Sequence, residues 1–92
     1  MRLTKLVRVH GIVQGVWFRD WTIREARALG VDGWVRNRRD GTVEALVAGD
    51  ADAVEAMIAR LREGPPRARV DRLDIEESDD EVATGFTRAA TA

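Results

Sequence analysis

The spacing of apolar positions changes several times along the chain, and each change marks an element. From Lys5 to Val13, small or apolar residues take alternate positions, Val7, Val9, Gly11 and Val13, with Arg8 and His10 between them. A period of two predicts a strand with one buried face. The alternation breaks at Val13-Gln14-Gly15-Val16-Trp17-Phe18-Arg19, where Gly15 permits a sharp turn. Helical spacing follows, with Phe18, Thr22, Ala26 and Leu29 on one face. Asp20 suits the positive end of that helix, and Gly30 is a stop signal. Val31 to Asn37 reads as a second strand, with Val31, Gly33, Val35 and Asn37 on one face. Asp40-Gly41 in Arg38-Arg39-Asp40-Gly41 is a hairpin signal. A third strand runs from Thr42 to Gly49, alternating at Val43, Ala45 and Val47.

The second helix carries the stripe Val54, Met57, Ile58 and Leu61, capped by Asp50 or Asp52 and ended by Gly64-Pro65-Pro66. A fourth strand runs from about Arg67 to Glu77, and a phase shift between Ala68/Val70 and Leu73/Ile75 predicts a bulge. The acidic run Ser78 to Glu81 reads as a solvated loop. Gly85-Phe86-Thr87-Arg88 could add a short edge strand, and Ala89 to Ala92 is expected to fray. The order βαββαβ with right-handed crossovers places two helices on one face of an antiparallel sheet, a ferredoxin-like α+β sandwich. Its 92 residues leave room for one domain, taken as residues 1–92, with a radius of gyration of roughly 12 Å.

Composition narrows the chemistry. The chain has no cysteine, so thiolate catalysis, disulfides and thiolate metal sites are excluded, and with them a copper-chaperone reading. The single histidine, His10, excludes a multi-histidine metal centre, and its phase opposite Val9 places it on the second sheet face. Fifteen basic residues against 16 acidic give a net charge of −1, unlike the basic excess of nucleic-acid-binding domains. An RNA-binding sheet would also need stacking aromatics, and tyrosine is absent. No apolar stretch is long enough to span a membrane. No signal-peptide core follows Met1-Arg2-Leu3-Thr4-Lys5, which points to the cytoplasm.

The strand-to-helix junction His10 to Arg19 is the most informative segment. Backbone N–H groups at such a junction have no intrahelical partner, and the helix dipole adds positive potential, so an anion suits the spot. Arg19 can add a planar, permanently charged fork. On spacing alone, an ordinary turn with a surface cation is an equal alternative. The pattern matches neither a Walker A loop nor a dinucleotide fingerprint. Asn37 ends the second strand on the helix-facing side, and its carboxamide could orient a water or satisfy its own hairpin. Trp17 and Trp21 could line the mouth of such a site or pack. Trp34, opposite Asn37 in phase, reads as packing. Arg36, Arg38 and Arg39 could raise the local anion concentration or stand solvated at the hairpin.

Gly11-Ile12-Val13-Gln14-Gly15-Val16-Trp17-Phe18-Arg19 resembles the acylphosphatase signature G-x-V-Q-G-V-x-[FY]-R. Leu29-Gly30-Val31-Asp32-Gly33-Trp34-Val35-Arg36-Asn37 resembles the second family block, L-G-x-x-G-W-V-x-N. Asp40-Gly41, Val43-Glu44 and Gly64-Pro65-Pro66 with Ala68 and Val70 also fit, up to about Ile75. The resemblance implies a ferredoxin-like fold and hydrolysis of carboxyl-phosphate anhydrides without metal or cofactor. It assigns phosphate binding to the backbone of Gln14, Gly15, Val16, Trp17, Phe18 and Arg19, phosphate contact to Arg19, and orientation of water to Asn37. The expected partners are a small acyl phosphate, and a phosphate or sulfate ion in the site, with no nucleic acid or membrane and a monomeric chain. The same block also leads a much larger hydrogenase-maturation carbamoyltransferase; the free-standing enzyme is the reading preferred here. An anion-sensing module that does not hydrolyse its ligand is the rival from another class.

Overall fold

The computed structural model describes residues 1–92. The elements run β1 (Arg2–Ile12), α1 (Phe18–Leu29), β2 (Asp32–Asn37), β3 (Val43–Asp50), α2 (Ala51–Glu63), β4 (Arg69–Glu77) and β5 (Phe86–Arg88). The five strands form one sheet in the order β4-β1-β3-β2-β5. Two βαβ units therefore interleave, with β3 between β1 and β2, and β1 between β3 and β4. Both helices pack on the same face. The apolar residues predicted for that face, Val7, Val9, Val35, Val43, Ala45 and Val47, are buried against Phe18, Ala26, Val54, Met57 and Leu61.

The helix punctuation follows the sequence. α1 ends at Gly30, which adopts φ 71° and donates its N–H to the carbonyls of Ala26 and Arg27. Asp50 takes the N-cap position of α2, although its carboxylate makes no capping bond. The bulge falls where the phase shift predicts it. His10 pairs with Arg72 but Gly11 pairs with Val70, which leaves Asp71 as the extra residue on β4.

Three features differ from the sequence reading. The sheet is mixed: β5 runs parallel to β2, with Gly33 beside Phe86 and Val35 beside Arg88. The segment after β4 returns along the chain direction of β2, whereas alternation alone carries no strand direction. The tail does not fray. Ala89 N–H donates to Val35 O, Ala92 N–H to Asn37 O, and Ala92 O accepts from Arg39 N–H. β3 is buried on both faces, because long side chains of neighbouring strands cover its helix-distal residues. Glu44 there accepts from Arg36 Nε at 2.8 Å and Arg8 Nη2 at 3.1 Å. At Gly33, a Cβ would lie 1.8 Å from Leu46 O, so only glycine lets β2 and Phe86 close on β3 at this point.

Candidate active site

Two buried anchors fix the junction after β1. Val13 is 1% exposed and Phe18 is 2% exposed, both in the core. The four residues between them must turn the chain from strand to helix. Gly15 does so at φ 72° and Trp17 at φ 62°, so left-handed residues alternate through the loop. Alternation of this kind makes concave arrays of backbone N–H groups that suit anions. None of residues 14–20 donates a backbone hydrogen bond in any turn, loop or cap; the first such donor is Trp21, to Trp17 O at 3.0 Å. Those amides are therefore left to a ligand or solvent at the positive end of α1.

Beside the loop lies a cavity of about 260 Å³, lined by Val13, Gln14, Gly15, Trp17, Phe18, Arg19, Asp20, Asn37 and Arg88. It brings the two halves of the predicted site together: Arg19 from the first turn of α1 and Asn37 from the end of β2. Asn37 Oδ1 is buried and has no hydrogen-bond partner. A buried acceptor without a partner is costly, which sets this oxygen apart from the other polar groups that line the cavity. Its alternative use, satisfying its own hairpin, is taken instead by Asp40. Asp40 Oδ1 accepts from Thr42 N–H at 3.0 Å and Thr42 Oγ1 at 2.6 Å. These bonds, chiefly the one from the Thr42 hydroxyl, hold the Asp40 carboxyl below its ordinary pKa.

Gln14 connects the halves. Its Nε2 donates to Arg38 O at 2.7 Å and Thr42 O at 2.8 Å, tying the loop to the hairpin that follows Asn37. Its side chain is thereby turned to the hairpin, and only its backbone remains for an anion. Val16 does not line the cavity; its side chain packs on the core. Trp17 is 73% exposed at the rim, so packing is not its role. Trp21 does pack, edge-on to Phe18 with ring centroids 5.4 Å apart.

Other candidates lie elsewhere. His10 Nε2 sits 2.8 Å from Asp74 Oδ2 on the open sheet face. Trp34 is also there, under the Arg36 guanidinium at 4.6 Å. Arg36 and Arg38 are held by Glu44, at 2.7 and 3.4 Å, rather than free to attract anions. Burial pushes the Glu44 carboxyl up, but the arginines outweigh it and the net shift is downward. Three lining residues escaped the sequence reading as site residues: Val13, a core residue, Arg88, and Asp20, which forms an ion pair with Arg88. The available signal was alternation: Phe86 is buried, so Arg88, two residues on, shares its face.

An interleaved α+β sandwich with an arginine-bearing cavity at one strand-to-helix junction places the chain in the ferredoxin-like fold class. The acylphosphatase family model matches residues 5–88. An acylphosphatase of Rhizorhabdus wittichii is 57% identical over 90 residues, covering 98% of this chain and 91% of that protein. The structure of an acylphosphatase from Coxiella burnetii superposes with a TM-score of 0.91 at 35% identity, over 96% of this chain and 93% of that one. The crystal structure of acylphosphatase from Bacillus subtilis gives 0.89 at 32% identity, over 97% and 99%. The chain belongs to the acylphosphatase family, hydrolases that act on acid anhydrides.

Proposed function

We propose that residues 1–92 form a single-domain acylphosphatase that cleaves small acyl phosphates into carboxylate and inorganic phosphate, working as a cytoplasmic monomer without metal or cofactor. The phosphate sits against the backbone amides of Gln14, Gly15, Val16, Trp17, Phe18 and Arg19, with the Arg19 guanidinium on its oxygens. Asn37 Oδ1 accepts a hydrogen bond from the attacking water and holds it behind phosphorus. The water oxygen bonds to phosphorus as the bond to the acyl oxygen breaks, and the electron pair leaves on the carboxylate. The water's proton passes to a phosphate oxygen.

Elementary chemistry supports this economy of parts. The conjugate acid of the leaving group has a pKa of roughly 4, so departure needs no proton donor. A loose phosphoryl transition state asks for positioning and charge stabilisation. Fixed amides, a guanidinium and one carboxamide suffice for both. The observation that carries the reading is that Arg19 lines one cavity together with Asn37, whose buried Oδ1 has no hydrogen-bond partner in the protein. A mute anion sensor has no use for an orphaned acceptor beside its anion.

The test is release of phosphate from acetyl phosphate with a chelator present. Wild-type protein turns over under these conditions, and Arg19→Ala loses about two to three orders of magnitude while keeping its fold. Complete dependence on an added divalent ion, or no hydrolysis at all, contradicts the proposal.

A further inference from the structure

We propose that a groove along α1 is the subsite for the acyl group, and that it favours acyl phosphates with an apolar body ending in a carboxylate. This rests on the acylphosphatase reading. In-line transfer places the leaving oxygen across phosphorus from the attacking water. With the water held by Asn37 on β2, the acyl group departs away from β2, toward the side of the cavity where Trp17 and Asp20 stand. A second cavity of about 510 Å³ adjoins there and is lined by Trp17, Asp20, Ile23, Arg24 and Arg27. Trp17 and Asp20 line both cavities, so the two are neighbours across these side chains.

The order of side chains along the groove sets its chemistry. Trp17 stands at the junction with its indole 73% exposed, on a backbone that a bulky residue adopts only at a cost. An exposed ring at a cavity rim is a platform for a flat or extended apolar group. Ile23 continues the apolar surface, and Arg24 and Arg27 follow on the same stripe of the helix. The groove's only carboxylate, Asp20, is already paired with Arg88. Both arginines are exposed, but Arg27 donates to Phe86 O at 3.3 Å whereas Arg24 makes no hydrogen bond or ion pair, so Arg24 is the freer cation for a ligand. Asp20 and Arg24 are separated by about 6 Å of helix rise, roughly the reach of one aromatic ring bearing a para substituent.

Three substrates separate the contributions: acetyl, benzoyl and 4-carboxybenzoyl phosphate. The readouts are ratios of kcat/KM, so a general loss of activity cancels. Trp17→Gly removes the indole and suits the left-handed backbone. It is expected to lower the benzoyl-to-acetyl ratio about fivefold. Arg24→Ala is expected to lower the 4-carboxybenzoyl-to-benzoyl ratio about threefold, an effect that added salt also produces in the wild type. Either ratio holding at its wild-type value, with acetyl phosphate still turned over, overturns the subsite and leaves the enzyme reading intact. Failure of the wild type to hydrolyse any of the three overturns both.

Discussion

Gln14 shows how one side chain can set the distance between two functional groups. Its amide donates to two hairpin carbonyls and so ties the loop that bears the amides to the hairpin that follows Asn37. Gln14→Leu keeps the bulk and removes the bonds. It is expected to cost about 1–2 kcal/mol by urea denaturation. Because small displacements of a positioned group are expensive, acyl phosphate turnover should fall about tenfold as well. Unchanged turnover in a destabilised Gln14→Leu would mean that the clamp serves the fold alone. At this scale the sequence is informative wherever type and phase decide the matter. Asn37 sits on the helix-facing side because it alternates with Val35, and Arg19 follows a buried Phe18 at the helix start. For Trp17 the sequence leaves the mouth of the site and packing both open, and the structure places it at the cavity. Hydrophobicity argues for packing, but the left-handed turn throws the side chain outward, and backbone geometry prevails over residue type.

Among the elements, β3 draws on all its neighbours. It is central in the sheet, and Glu44 on its helix-distal face gathers Arg8 from β1, Arg36 from β2 and Arg38 from the hairpin. Burial raises this carboxyl's pKa, the guanidinium hydrogen bonds lower it more, and the net depression gives a stability that depends on pH. A depressed folded-state pKa means stabilisation that is full above the unfolded pKa and lost as pH falls through the folded one. Urea titrations at decreasing pH should show stability declining below about pH 4. Glu44→Gln should be less stable at neutral pH by roughly 2 kcal/mol, because Arg36 and Arg38 lose their carboxylate partner while Arg8 keeps only Asp40, and should decline less steeply in acid. Parallel acid limbs in the two proteins would show that the cluster contributes nothing to the titration. Alternation at Val43, Ala45 and Val47 identified the helix-facing side of β3. It could not announce the burial of the other side, which depends on which arginines neighbouring strands bring alongside. The direction of β5 was hidden for a similar reason. Three residues alternate identically in either direction, and what fixes the parallel pairing is Phe86 closing on Gly33.

At the scale of the whole molecule, the site lies where the interleaved topology brings chain-distant segments together. The first crossover places the start of α1 beside the end of β2, and the returning tail closes the same edge through Ala92 and Asn37. The radius of gyration is 11.7 Å, in line with one small core. Nearly everything needed to build the cavity is thus local to two loops and a strand end. That is why two sequence blocks anticipated the loop, Arg19 and Asn37, while Arg88, which reaches the cavity from the last strand, was not anticipated. No helix is long and apolar enough to cross a membrane.

The central claim is that Asn37 acts on water and Arg19 on phosphate, and the two roles separate in a single variant. For Asn37→Ala, kcat for acetyl phosphate and the competitive inhibition constant of inorganic phosphate should be measured side by side, with folding checked by circular dichroism. If Asn37 orients the nucleophile, kcat falls by about two to three orders of magnitude while phosphate binds as it does to the wild type. A kcat that survives, or a loss explained wholly by weaker phosphate binding, would show that the buried carboxamide oxygen does not hold the attacking water.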